Sequence, residues 1–322
     1  MSTMAAVNDK KPKGLAAATF TPLTTDGEIN LSLIGPYVDY LTQKQGVKQI
    51  FVNGTAGEGM SLTVAERKML AEEWCKKAKG KMDYVIVHVG CLSFRDSQEL
   101  ARHAVEIEAD AIAAIAPFFL KPNSADALRK FLQEVASAAP TLPFYYYHIP
   151  SITGVNVSVP DVLEDIGSLI PSFSGVKFSS ADLMEFGLCF SHSPPHWTFL
   201  FGVDEQLLSG LAMGAQGAVG STYNYMGSQM NKLIAAFENN NLEEARRIQF
   251  KMQDLIQYAK TLGFDLGVNK QLMSELSGLS LGPPRLPVMP CPPEHGRSIA
   301  QKFHSLFPEA SVLMQHVMGN HL

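Results

Sequence analysis

The feature that most constrains this chain is an alternation. Short apolar runs rich in β-branched and aromatic residues recur along its first two thirds, separated by longer helical patterns. The runs are Leu15–Phe20, Gln49–Val52, Tyr84–Val89, Ala111–Ala116, Pro143–Tyr147, Gly175–Phe178, Thr198–Phe201 and Gly217–Val219. Several are apolar almost throughout, as a parallel strand must be when helices cover both faces of its sheet. The segments between them carry helix signals. Thr63-Val-Ala-Glu66 is a capping box opening a helix to Lys79, and Ser93-Phe-Arg-Asp96 is a weaker version before Glu99–Glu108. The run Ser124–Ala139 halts at Pro140, and Pro160 suits the first helical position before Asp161–Leu169.

Eight strands alternating with helices predict an α/β fold, a closed (β/α)8 barrel. A chain of 322 residues, 46% hydrophobic and 18% charged, has the length and apolar content for one such barrel with an appendage. An open doubly wound sheet is the alternative. It usually carries a phosphate or dinucleotide fingerprint in its first strand-to-helix turn, and Thr19–Gly27 has none. Beyond about Gly227 no strand pattern recurs; Asn241–Leu262 reads as a long amphipathic helix, with breakers at Gly282–Pro287 and Pro290–Pro293. The expected organisation is a flexible tail over 1–13, a catalytic barrel over 14–226 and a helical C-terminal extension over 227–322.

Charge and cysteine usage narrow the partners. The net charge of −5 argues against nucleic acid, which needs a basic face. The lysines at 10, 11 and 13 and at 76, 77, 79 and 81 read as a solvated tail and a helix end. Cys75, Cys91, Cys189 and Cys291 are scattered without a CxxC pair, as buried free thiols in a reducing compartment are. No apolar stretch is long enough to span a membrane, and Met1–Lys13 carries no signal-peptide core. A cytoplasmic protein acting on a small molecule is expected.

In a parallel barrel the chemistry lies at the carboxyl ends of the strands. Strand two leads into Asn53-Gly-Thr-Ala-Gly-Glu-Gly59, strand five ends in Tyr145-Tyr-Tyr-His-Ile-Pro150, and strand six carries Lys177-Phe-Ser-Ser180. Strand seven leads into Gly202-Val-Asp-Glu205 and strand eight into Gly220-Ser-Thr-Tyr-Asn224. The glycine-rich loop can turn backbone N–H groups toward a small carboxylate or phosphate, or it is simply a tight strand-to-helix turn. It matches no nucleotide motif. Lys177 is either a strand terminus reaching solvent or a functional amine; an amine enclosed by apolar walls becomes a nucleophile able to condense with a ketone. Of the three adjacent tyrosines at least one must pack away from the barrel interior, because strand neighbours face opposite ways. Tyr147, next to the His-Ile-Pro turn, is the candidate proton relay. Asp204 and Glu205 either accept hydroxyls of a polyol or cap a helix over Gln206–Gly214. His192 and His196 lie near Cys189, but Pro194 and Pro195 break the spacing a shared helical face requires, so no metal site is expected.

Together these motifs resemble the pyruvate-dependent class I aldolases, the family of N-acetylneuraminate lyase and dihydrodipicolinate synthase. The resemblance runs from Gly14-Leu-Ala-Ala-Ala-Thr-Phe-Thr-Pro22 to Gly282-Pro-Pro-Arg-Leu-Pro287. It is strongest toward the animal lyases at Asn53–Gly59, Phe144–Pro150, Gly175–Ser179 and Gly220–Asn224. It implies that Lys177 is the Schiff-base lysine and Tyr147 the tyrosine that shuttles a proton between substrate hydroxyl and nascent aldehyde. Thr55 and Ala56 would hold the substrate carboxylate; Ser179, Gly202, Asp204, Glu205 and Ser221 would line the pocket for the sugar-derived tail. It further implies cleavage of N-acetylneuraminate to pyruvate and N-acetylmannosamine, a homotetramer, and no metal or organic cofactor.

The chain departs from that pattern at three points. The family commonly has two adjacent hydroxyl residues where Thr55-Ala56 stands. Phe119 occupies the position of a tyrosine that in the synthase reaches across a subunit interface. Ile152 matches the position of the synthase arginine that holds a second carboxylate. The last disfavours a dicarboxylate-making reaction. Ala56 is the one residue that favours a barrel binding a sialic-acid-like ligand without turning it over.

Overall fold

In a computed structural model the protein is described over residues 10–310. Eight strands close into a single parallel barrel in sequence order. They are β1 Gly14–Ala18, β2 Gln49–Val52, β3 Tyr84–His88, β4 Ala111–Ile115, β5 Phe144–His148, β6 Phe173–Phe178, β7 Thr198–Phe201 and β8 Gly217–Gly220. Every run expected from sequence is a strand, within two residues at either end. The reason is visible in burial. All five residues of β3, β4 and β5 are buried, so both faces of each strand are covered, by barrel interior on one side and helices on the other.

The helices begin where their caps dictate. The Thr63 hydroxyl accepts from the Glu66 N–H at 3.2 Å while Glu66 Oε2 accepts from the Thr63 N–H at 2.8 Å, completing the capping box of helix Val64–Ala78. Such a cap contributes about 1 kcal/mol. Ser93 likewise caps helix Phe94–Glu106, which therefore starts well before the expected Glu99. The helix at Ala125–Ala136 stops short of Ala139. The run expected as one helix over Asp161–Leu169 is two short ones, Val159–Leu163 and Ile166–Leu169, parted by Asp165 at φ +57°.

One irregularity in the barrel positions the site. The β5–β6 pairing starts with Phe144 beside Phe173, then skips Ser174, so that Tyr145 lies beside Gly175 and Tyr147 beside Lys177. A residue without a partner in one strand is a bulge, and it shifts everything after it by one position. Gly175 makes it feasible: its φ is +144°, and a Cβ there would lie 1.8 Å from the Thr198 carbonyl oxygen.

Past β8, helix Tyr223–Glu238 packs on β1, so the 226/227 division drawn from the sequence falls inside it. Helices Leu242–Thr261, Leu266–Ser277 and Pro293–Leu306 follow. They are fastened to the barrel by a buried ion pair, Lys270 Nζ to Glu58 Oε1 at 2.9 Å, with neither side chain more than 1% exposed. Removing one partner from a pair of that kind costs about 3–5 kcal/mol. Residues 1–9 of the expected tail and 311–322 of the expected extension lie outside the described residues.

Candidate active site

At the carboxyl end of the barrel is a cavity of about 440 Å³. Its wall contains Thr55, Ala56, Tyr147, Lys177, Ser179, Gly202, Asp204, Glu205 and Ser221, all nine residues singled out from the sequence. They arrive from five different strands or the loops just beyond them, which is how a barrel assembles a site.

Lys177 lies within β6 and points inward, 4% exposed. Its Nζ sits 4.1 Å from the centre of the Phe51 ring and 3.8 Å from that of Tyr147. Among the described residues no carboxylate lies within 4 Å of it. The other buried amine, Lys270, is engaged by Glu58 and by the Pro283 carbonyl at 3.0 Å, so it has no reach into the cavity. Two buried lysines thus differ in what they touch, and of the two it is Lys177 that opens onto space for a carbonyl compound.

The Tyr147 hydroxyl is 3.1 Å from the Thr55 hydroxyl, which joins the β5 end to the β2 loop. Edge-to-face contacts with Phe51 and His88, at 5.6 and 5.8 Å between ring centres, fix the ring. His88 stays neutral there: burial, then the Arg67 and Lys177 cations, push its pKa well below 6.5. Tyr146 faces the other way, toward His148, and Tyr145 is buried. Alternation removes Tyr146; Tyr145 shares the inward face but lies two residues further from the carboxyl end of β5, so Tyr147 is the tyrosine of this run that lines the cavity.

The β2 loop turns sharply, with Asn53 at φ +61° and Glu58 at φ +55°. Its own turn uses the N–H groups of Glu58 and Gly59, bonded to Thr55 and Gly54 carbonyls. Thr55 and Ala56 at its tip face the cavity. Across the cavity Gly202 is required by a close approach: a Cβ there would lie 2.0 Å from the Ser179 hydroxyl oxygen.

Neither acid caps a helix. Both stand in the 3-10 turn Asp204–Gln206, which leads straight into helix Leu207–Ala212, but neither makes a side-chain cap bond to it. Asp204 Oδ2 instead accepts from the Thr222 N–H at 2.9 Å and the Thr222 hydroxyl at 2.6 Å. Burial pushes the Asp204 carboxyl up to about 6, opposed by those two Thr222 bonds. Glu205 reaches out to Lys260 at 3.7 Å. His192 caps the end of helix Leu183–Ser191, and among the described residues no cluster of three or more His, Cys, Asp or Glu is arranged to hold a metal ion.

The sequence reading missed the contribution of the C-terminal helices. Lys260, Phe264, Asp265 and Asn269 all line the cavity, the last from helix Leu266–Ser277. One signal was present: Asn269-Lys270 interrupts the apolar face made by Val268, Leu272, Met273 and Leu276. A polar pair on an otherwise buried face needs partners.

A parallel barrel with an amine, a phenol and acceptor groups converging at its carboxyl end defines the class of (β/α)8 enzymes. Comparison with known proteins makes that class specific: the chain belongs to the dihydrodipicolinate synthetase family, whose family model matches residues 11–305. The N-acetylneuraminate lyase of Danio rerio is 58% identical over 297 residues, 92% of this chain and 97% of that one. Among solved structures, an N-acetylneuraminate lyase from Proteus mirabilis superposes with a TM-score of 0.87 at 35% identity, covering 92% of this chain and 99% of its own. A Ruminococcus gnavus sialic acid aldolase, solved as a catalytic lysine mutant, gives 0.87 at 30% identity over 95% of this chain and 99% of its own.

Proposed function

We propose that this chain cleaves N-acetylneuraminate to pyruvate and N-acetylmannosamine through a Schiff base on Lys177. The observation that carries the reading is the Lys177 amine resting on the Tyr147 ring inside a cavity whose wall also holds Asp204, Glu205 and Ser221. The unprotonated amine adds to C2 of the open-chain substrate, and loss of water gives an iminium. The Tyr147 oxygen takes the C4 hydroxyl proton while its own proton passes through the Thr55 hydroxyl, 3.1 Å away, to the substrate carboxylate; the C3–C4 pair flows into the iminium, and the aldehyde departs. The remaining enamine is protonated at C3 and hydrolysed, releasing pyruvate and the free amine. The Thr55 hydroxyl and the backbone N–H of residue 56 hold the substrate carboxylate, with Ala56 contributing no hydroxyl of its own. Ser179, Gly202, Asp204, Glu205 and Ser221 receive the polyol tail.

A second carboxylate on the aldehyde partner finds no welcome. Ile152 stands in the cavity wall where the synthase has an arginine, and the Asp204 carboxylate, which no cation among the described residues pairs with, repels an anion. The decisive assay is pyruvate release from N-acetylneuraminate against condensation of pyruvate with aspartate semialdehyde. Release from the sugar acid is the expected result; a preference for the semialdehyde sinks the substrate assignment while leaving the imine chemistry standing.

Asp204 sets a pH dependence. Because burial raises its pKa to about 6, it takes up a proton as pH falls through that value and ceases to be a purely accepting carboxylate. The expected result is a fall in kcat/KM on the acid side of about pH 6 that disappears in Asp204→Asn. A profile with the same acid limb in that variant removes Asp204 from the polyol subsite. For stability the sign is opposite: a raised carboxyl pKa favours the fold most below its unfolded value, and that contribution is lost as pH rises through about 6.

We read the chain as a barrel from residue 14 that takes in helix Tyr223–Glu238, and a helical extension that completes the cavity; Lys13, expected in a flexible tail, is instead bonded to Gln49 of β2. The described cysteines are all free, which supports a reducing, cytoplasmic setting, and among the described residues no helix is long and apolar enough to cross a membrane. Phe119 and Leu120, 80% and 83% exposed on the loop after β4, support assembly into the homotetramer of the family. The chemistry calls for no metal or organic cofactor, since the iminium supplies the electron sink.

A further inference from the structure

Ser221 follows β8 at the rim of the cavity, and its hydroxyl oxygen is already in use. It accepts a hydrogen bond from Asn269 Nδ2 at 2.8 Å. Asn269 in turn is held from behind, its Oδ1 accepting from the Tyr225 hydroxyl at 2.8 Å. Asn269 is 7% exposed and Tyr225 2%, so neither amide nor phenol has water to exchange with freely. A serine hydroxyl has one proton and two lone pairs. When a neighbour donates to the oxygen, the proton is the group left to give. The adjacent wall has the opposite character, because the Asp204 carboxylate is there to accept.

We propose that Asn269 is a positioning residue for the cleavage: it holds the Ser221 hydroxyl with its proton turned into the cavity, as a donor to an oxygen of the sugar-derived half of the substrate. The inference rests on the reading of this cavity as a sugar-acid cleavage site. It assigns part of the specificity to helix Leu266–Ser277, outside the barrel. The same helix grips the other half of the site through the Lys270–Glu58 pair, which anchors the loop bearing Thr55 and Ala56. A shift of this helix would therefore be felt at both ends of the substrate. The contribution of Asn269 is confined to one end, which makes it separable.

The experiment is a double-mutant cycle on kcat/KM for pyruvate release from N-acetylneuraminate, with Asn269→Ala, Ser221→Ala and the two combined. Borohydride trapping of the imine formed with pyruvate alone is followed in parallel. Each single variant is expected to lose about 10- to 100-fold, and the double variant no more than the larger single loss. Trapping with pyruvate keeps the wild-type rate, because pyruvate lacks the half that Ser221 would hold. Asn269→Asp preserves size but can only accept when ionised; it draws the serine proton away from the cavity and loses at least as much, and it carries the same cycle if the alanine variant does not fold. Losses that multiply in the double variant, full turnover in Asn269→Asp, or slowed trapping with pyruvate overturn the proposal. Wild-type protein that releases no pyruvate overturns the substrate assignment and this inference together, whereas normal wild-type turnover with multiplying losses overturns this inference alone.

Discussion

Pyruvate with borohydride inactivates the protein irreversibly, and the reduced adduct is found on Lys177. This is the first expected result, and its physical basis is the contrast between two buried amines. Lys270 is fully buried but hydrogen-bonded to a carboxylate and a carbonyl, both within 3.0 Å. Attack from Lys270 would leave Glu58 as an uncompensated charge in the interior, a cost of several kcal/mol. Lys177 gives up only two ring contacts and stands in the wall of the cavity. An adduct on Lys270, or none at all, refutes the mechanism. Lys177→Met preserves the apolar stem against Phe51 and Tyr147 and removes the nucleophile, so it loses all measurable cleavage while keeping the fold.

The second large effect is at Tyr147. Tyr147→Phe keeps the ring between Phe51, His88 and the lysine amine and deletes only the hydroxyl bonded to Thr55. A positioned acid–base group is worth about 10²- to 10⁴-fold, and kcat is expected to fall by that amount. Imine formation with pyruvate should persist, since its steps need no proton removed from a C4 hydroxyl. The discriminating measurement compares the trapping rate with turnover in the same variant. Equal activity removes Tyr147 from the mechanism; loss of both points to collapse of the site instead of loss of a proton shuttle.

The residues that carry these effects were legible in sequence to different degrees. All eight strands could be read because a strand covered on both faces is apolar along most of its length, and that composition is local. Helix starts were legible where a side chain caps the backbone, as at Thr63. The split at Asp165 was not, since nothing in Asp161–Leu169 compels a left-handed residue until the two short helices are packed. Lys177 and Tyr147 were found by their place at strand ends combined with a family resemblance. Their chemistry-bearing neighbours Phe51 and His88 were passed over as ordinary strand residues.

The acids at 204 and 205 show where local reading stops. A carboxylate just ahead of a helix is equally suited to cap it or to face a ligand. Only the approach of Thr222 from the next strand end takes Asp204 away from the helix. Asn269 is the extreme case: it lies 48 residues from the serine it holds.

By itself, then, the amino-acid order determined the number and type of barrel elements, the loops that would form the mouth, and which side chains stand at strand ends, because each follows from alternation, capping and burial within a few residues. Tertiary structure alone decided which of those side chains meet. The bulge at Ser174 and Gly175 sets Lys177 beside Tyr147 in place of Val176, an arrangement that depends on the Thr198 carbonyl in the neighbouring strand leaving no room for a Cβ. Closure of the barrel brings the second and eighth strand ends to one cavity, and the C-terminal helices fold back over it. These are contacts between residues far apart in the chain, and their energies depend on distances that no local pattern encodes.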